Sequence, residues 1–391
     1  MRKVLSGLFL LMGISVNILA QQKQFIQPGG NEIKIDNIDK LVTDLMDSNR
    51  VTGLCLGMVN DNLPVYIQAY GYRDKEKNEK NDTATIFYAA SLAKPLFAYI
   101  VMHLVDEKLI ELDKPLYTYL PKPIPEYDEY KDLNGDDRWK LITARNCLDH
   151  TTGFPNWRWA NPHGNKKLEI FFTPGERYAY SGEGLVLLQM VVEMITGKSL
   201  ETLAVETIFV PFNMYRTSFV WQPSFESDYA FGYNENGKQL RKYKRTTGNA
   251  AGSMETTIAD YSRFISAVLQ QKGVSDESKK QMFSSQVKIF TKHQFPSLNT
   301  DFTQANQPIE LGYGLGWGLF KTPYGTAFFK EGHDDGWGHY VICIPDKKTA
   351  LLIMTNSSRG EGIFKELVQK IMGLEIPWEW EGYRPYQMEK R

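Results

Sequence analysis

Ser91 and Lys94 stand three residues apart, just ahead of a stretch in which Phe97, Ile100, Val101, Leu104 and Val105 recur at helical spacing. Both fall on the face of that apolar stripe: Lys94 lies three residues before Phe97 and seven before Val101, and Ser91 three before Lys94. A lysine on a buried face loses hydration, its pKa falls toward neutrality, and the free amine becomes a base for a neighbour. Here the neighbour is a serine hydroxyl. Pro95 places Ser91 at the helix entrance, because proline is tolerated in a first turn but breaks a helix interior. Free amides at that end favour developing negative charge. The chemistry such a pattern supports is nucleophilic attack by a serine that a lysine activates. A Ser-x-x-Lys also arises by chance on helices whose lysine reaches back to water, so the surrounding elements decide its meaning.

Asn37 caps a first helix with Ile38, Leu41, Val42 and Leu45 at helical spacing. The runs Leu54 to Val59 and Val65 to Tyr70, separated by the residues from Asn60 to Pro64, predict a β-hairpin. A polar loop from Arg73 to Asp82 then leads to the Ser91 helix. From Lys108 to about Arg245 helical patterns alternate with loops rich in Pro, Gly, Trp and Tyr, which predicts a helical subdomain. Within it, Gly184 to Thr196 reads as one helix ended by Gly197, so the residues before Gly184 form a loop at a helix entrance. Thr257 caps another helix, with Ile258, Tyr261, Phe264, Ile265, Val268 and Leu269 as its stripe. The last third predicts an antiparallel meander of Tyr313 to Phe320, Thr326 to Phe329, His339 to Ile344 and Ala350 to Met354. A helix follows, with Ile363, Phe364, Leu367, Val368 and Ile371 inward and Gly373 at its end. Strands at both ends and helices between give an α+β fold: an antiparallel sheet completed late, flanked by helices, with the helical region inserted.

Charge and composition nominate no partner. The 391 residues include 45 basic and 46 acidic side chains, a net charge of −1 and 42% apolar residues, without a basic run. That gives no electrostatic case for nucleic acid or for an anionic membrane surface. Arg2 and Lys3 precede an apolar run from Leu5 to Leu19, and Ala20 offers a small residue before Gln21, the layout of a secretory signal peptide. Cleavage after Ala20 would deliver the chain to the periplasm or the exterior with no stable membrane span; the alternative is an uncleaved anchor. Cys55, Cys147 and Cys343 are far apart in apolar surroundings and form neither a disulfide framework nor a zinc site. The layout expected is a signal peptide at 1–20, one catalytic domain over 35–373 with its helical subdomain at about 108–245, and a tail at 374–391.

Further stretches join the Ser91 motif: Asp149-His150-Thr151-Thr152-Gly153-Phe154-Pro155; Tyr178-Ala179-Tyr180-Ser181-Gly182-Glu183-Gly184, which opens a helix; and Glu331-Gly332-His333-Asp334-Asp335-Gly336-Trp337, between two β runs. Their order, spacing and context resemble the serine β-lactamase and penicillin-binding-protein superfamily, in its class C β-lactamase, DD-peptidase and esterase branch, over roughly residues 35 to 373. The resemblance implies a β-lactamase/transpeptidase-like fold and a hydrolase without metal or other cofactor. It implies Ser91 as the acylated nucleophile, Lys94 as its base, and Tyr180 as the phenol of a Tyr-x-Asn motif. His333 would be the first residue of a Lys-Thr-Gly or His-x-Gly motif, and the amides of Ser91 and Gly336 would form the oxyanion hole, such donors contributing about 3–4 kcal/mol. A phenol beside the Lys94 ammonium could become phenolate and shuttle the serine proton, while His150 would shape the site. Two departures bear on substrate: Gly182 replaces the Asn of Tyr-x-Asn, and Asp334 and Asp335 follow His333. They point to esters or amide and peptide substrates, cell-wall-derived compounds among them, rather than to efficient β-lactam hydrolysis. Two rival readings are a zinc site from His333, Asp334, Asp335 and His339, and a catalytically weak module binding cell-wall peptide or glycan through Trp157, Trp159 and Trp337.

Overall fold

The computed structural model describes residues 23–382; the expected leader at 1–20 and the last residues of the expected tail lie outside them. Helix α1 (Ile35–Asn49) buries Ile35, Ile38, Val42 and Met46. It starts two residues ahead of Asn37, with Lys34 as a cap that makes no side-chain bond. Strands β1 (Gly53–Asn60), β2 (Leu63–Asp74) and β3 (Glu79–Lys80) follow. The β1–β2 turn is tighter than expected, because Asp61 and Asn62 both take positive φ, 49° and 63°, the pairing that lets a two-residue turn match strand twist. Helices α2 (Ala93–Asp106), α3 (Gly182–Thr196) and α4 (Ile258–Leu269) occupy the middle of the chain. Much of 108–180 is short 3₁₀ turns instead of regular helix, since Pro115, Pro121, Pro123 and Pro125 interrupt the helical pattern.

The remaining strands are β4 (Val287–Lys288), β5 (Gly312–Tyr313), β6 (Gly318–Thr322), β7 (Gly325–Asp334), β8 (Trp337–Ile344) and β9 (Thr349–Thr355), before helix α5 (Phe364–Met372). They form one antiparallel sheet in the order β3-β2-β1-β9-β8-β7-β6-β5-β4. The N-terminal hairpin thus pairs with the last strand, as expected of a sheet completed late. Helices cover both faces, so every residue of β1 is buried. Leu54, Leu56 and Met58 face the cluster that contains α1 and α5, whereas Cys55 and Val59 face the cluster that contains α2 and α4. Gly57 lies on the second face, where a Cβ would stand 2.4 Å from Ser262 Oγ of α4; the missing side chain lets the helix close on the sheet.

One boundary differs from expectation in a way that matters for function. Strand β7 does not stop at Phe329 but continues to Asp334. Lys330 and Glu331 look like loop residues, yet they lie buried in the strand because Lys330 Nζ pairs with Glu331 Oε1 at 2.7 Å. The segment after Gly373 also packs: Leu374, Ile376 and Trp380 are buried, and Trp380 Nε1 donates to Thr291 Oγ1 at 3.2 Å.

Candidate active site

Ser91 lies in a 3₁₀ turn, Ala90–Leu92, that leads directly into α2. Ala90 ahead of it is left-handed, φ 47°, a conformation that costs a non-glycine residue about 1–2 kcal/mol. Neighbouring bonds hold the turn: Ala89 N–H donates to Met254 O at 2.8 Å, and Tyr88 Oη to Gly252 O at 2.7 Å. Lys94 is buried three residues on, with Nζ 2.8 Å from Ser91 Oγ while it donates to Ala251 O at 2.5 Å. Burial first, and the Lys330 ammonium second, hold the Lys94 pKa well below its ordinary value. The free amine is therefore the accessible form near neutral pH.

Tyr180 reaches the same place from the entrance of α3. Ser181 caps that helix by accepting from Gly184 N at 3.1 Å. The His150 turn pins the tyrosine segment from the other side: Ala179 N–H donates to His150 O at 2.8 Å and Ser181 N–H to His150 Nδ1 at 3.2 Å. The His150 ring lies 4.3 Å from that of Tyr180. Two lysine nitrogens flank the Tyr180 ring, Lys94 Nζ at 5.0 Å and Lys330 Nζ at 4.8 Å from its centre. The phenol makes no fully formed hydrogen bond among the described residues, and Ser91 is the side chain close enough to bond it. Burial, and then the charge of Glu331, push its pKa well above the ordinary value. A phenolate is thus disfavoured, contrary to expectation, and Tyr180 is a hydroxyl that carries a proton beside Ser91.

The strand wall of the site is β7, in a register three residues away from the expected one. Lys330-Glu331-Gly332 comes up against the nucleophile turn; a Cβ on Gly332 would stand 2.9 Å from Ala89 O. Asp334 pairs with Trp337 around the two-residue turn Asp335-Gly336, so their backbone groups bond to each other and the preceding residue, His333, turns its N–H to the opposite edge. Strand β6 pairs with β7 only as far as Phe329, which leaves that edge open to Ser91. Gly336 is not brought there: it lies in the turn with φ 81°, and its amide donates to Ser358 Oγ at 2.8 Å. Because the strand continues through the motif, the amide that faces the open edge belongs to His333 and not to Gly336. His333 does line the site, with Nδ1 2.6 Å from Glu361 Oε1, and that carboxylate raises its pKa. Lys330 and Glu331 were missed. The signal was present in Lys330-x-Gly332, which fits the Lys-x-Gly pattern better than His333-x-Asp335 does.

Ser91, Lys94, Tyr180, Glu331 and His333 line one cavity of about 910 Å³. Asp334 also faces it, whereas Asp335 does not and accepts from Ser358 Oγ at 3.2 Å. Gly182 has a physical reason: a Cβ there would fall 2.7 Å from the Trp157 indole, so an asparagine at this position could not coexist with that ring. Of the rival zinc ligands, His333 is engaged by Glu361, and His339 Nε2 is 2.8 Å from Tyr88 O.

The profile of the family described as Beta-lactamase matches residues 38–371. Penicillin-binding protein 4* of Bacillus subtilis (strain 168) is 23% identical over 358 residues, covering 83% of this chain and 72% of that protein. A teichoic acid D-alanine hydrolase of Staphylococcus aureus (strain NCTC 8325 / PS 47) is 27% identical over 324 residues, 81% of this chain and 73% of the relative. Among solved structures, the octameric penicillin-binding protein homologue from Pyrococcus abyssi superposes with a TM-score of 0.69 at 21% identity, over 88% of this chain and 79% of that one. D-alanine carboxypeptidase AmpC from Burkholderia cenocepacia gives 0.67 at 19% identity, over 86% and 98%. These two likenesses concern the fold.

Proposed function

The chain belongs to the Beta-lactamase family, a serine hydrolase family, and on that premise we propose that it is an exported hydrolase acting through an acyl-enzyme on Ser91. The observation that carries the reading is the buried Lys94 amine, 2.8 Å from Ser91 Oγ and kept from charging by its surroundings. Lys94 takes the Ser91 proton as Oγ attacks an ester or amide carbonyl, and the Ser91 and His333 amides receive the oxyanion. Tyr180 and the resulting Lys94 ammonium supply the proton that the leaving alcohol or amine takes up. Water then attacks the acyl-enzyme carbonyl, giving up a proton to the Lys94 amine, which passes it to Ser91 Oγ as the acid leaves.

Esters and peptides are favoured over β-lactams as substrates. Glu331 is paired with Lys330, so Asp334 is the carboxylate that places negative charge on the strand wall, and an anion held there is opposed by like charge. Trp157 fills the space over Gly182 where a carboxamide would otherwise stand. The relative named teichoic acid D-alanine hydrolase supports an ester derived from the cell wall, and the leader at 1–20 supports export to the periplasm or beyond.

The test is intact-protein mass spectrometry during turnover of nitrophenyl butyrate. A butyryl adduct on Ser91, absent in Ser91→Ala together with the turnover, is the expected result. Full activity in Ser91→Ala would overturn the reading. In the same assay nitrocefin should be turned over about a hundredfold less efficiently than the neutral ester.

A further inference from the structure

One cation lining the cavity has no part in the acyl transfer. Contrary to the expectation of no basic run, Arg241, Lys242, Lys244 and Arg245 put four cations into five residues. Two of them are neutralised: Lys242 Nζ pairs with Glu255 at 2.6 Å, both side chains buried, and Lys244 Nζ with Glu226 at 2.5 Å. Arg245 has no carboxylate at ion-pair distance among the described residues. Its guanidinium instead lies over the Tyr88 ring, 4.3 Å from the centre, and Tyr88 is fixed by its bond to Gly252 O. Arg245 lines the Ser91 cavity and also an adjoining cavity of about 290 Å³, where Arg241 joins it. A half-buried guanidinium held flat on an aromatic ring, its N–H edge unpaired, presents a planar fork of donors that matches a carboxylate or a phosphate.

We propose that Arg245 is the anion-recognition group of this cleft, so that the substrates are esters or amides bearing a carboxylate or phosphate that docks against the 241–249 loop. The proposal deepens the acyl-enzyme reading and rests on it. Asp334 does not cancel Arg245: its Oδ1 accepts from Asp335 N–H at 2.9 Å, and no ion pair joins the two side chains. The charges of the cleft then fix one orientation. The anionic group lies at the loop carrying Arg245, and a neutral or cationic group meets Asp334 on β7.

The test compares kcat/KM, at low ionic strength, for nitrophenyl esters of matched length whose acyl chain ends in a methyl, a carboxylate or a phosphonate. The wild type should prefer at least one anionic ester over the neutral one by about tenfold, and the better of the two arms identifies the anion. Arg245→Gln should lose the preference and Arg245→Lys should keep most of it, which separates loss of charge from loss of fold. A wild type that prefers the neutral ester, or a preference that survives in Arg245→Gln, would overturn the assignment. Mass spectrometry of Ser91 accompanies each arm. An acyl adduct without anionic preference overturns only the role of Arg245; no adduct with any ester overturns the nucleophile as well.

Discussion

For Lys94 the charged form is opposed twice, by burial and by the Lys330 ammonium. Since a depressed pKa leaves the amine free at neutral pH, kcat/KM should rise with pH through the Lys94 pKa and be level above it. Lys330→Met removes the repelling cation and leaves the Glu331 carboxylate without its partner. Both changes favour a charged Lys94, so the acid limb should move to higher pH. A limb that stays in place in the pH–rate profile would belong to another group. Lys94→Arg fixes a charge there that cannot yield a proton near neutrality, and kcat for nitrophenyl butyrate should fall at least about a hundredfold. Ser91 and Lys94 were legible because helical spacing alone puts them on the buried face. Lys330 and Glu331 were not, since a Lys-Glu pair reads as solvated until the fold buries both ends of it.

The approach of β7 to the nucleophile turn depends on Gly332. An added Cβ would meet Ala89 O at 2.9 Å and His339 Cδ2 at 3.2 Å, so Gly332→Ala must part the strand from the turn. The His333 amide proposed to receive the oxyanion and the proposed nucleophile Ser91 sit on opposite sides of that contact. A displacement on the order of 1 Å there lowers rates about a hundredfold, while overpacking destabilises by about 1–3 kcal/mol. Gly332→Ala should therefore lose far more kcat than stability, as urea unfolding and turnover measured side by side will show; normal kcat would mean that the close approach is dispensable. The order of strands and helices was legible in the apolar periods and in caps such as Ser181 and Gly197. The continuation of β7 past Phe329 was not, because Lys330 and Glu331, which would mark a loop elsewhere, are buried here beside the Ala90–Leu92 turn and the Tyr180 ring.

On the scale of the whole molecule, the segment after Gly373 is part of the core, although its composition of alternating aromatic and charged residues gave no sign of it. Trp380 is 1% exposed. Its carbonyl accepts from Gln294 N–H at 2.8 Å, and Gln294 Nε2 donates to Glu331 Oε1 at 2.7 Å. Trp380→Ala should therefore destabilise by about 3–5 kcal/mol in urea unfolding and reduce turnover as well, since the indole packs on the Tyr178 ring, two residues before Tyr180. The sheet order has a temporal consequence too. β1 ends at Asn60, and its neighbour β9 begins only at Thr349. At ribosomal rates of about 5–20 residues per second, on the order of 15–60 seconds separate the two strands. For most of that interval the nascent chain carries its serine and lysine but has no closed sheet to lock them into, which is the loose state the proposed export would need. A ribosome stalled before Thr349 releases a polypeptide with its nucleophile and no enzyme around it.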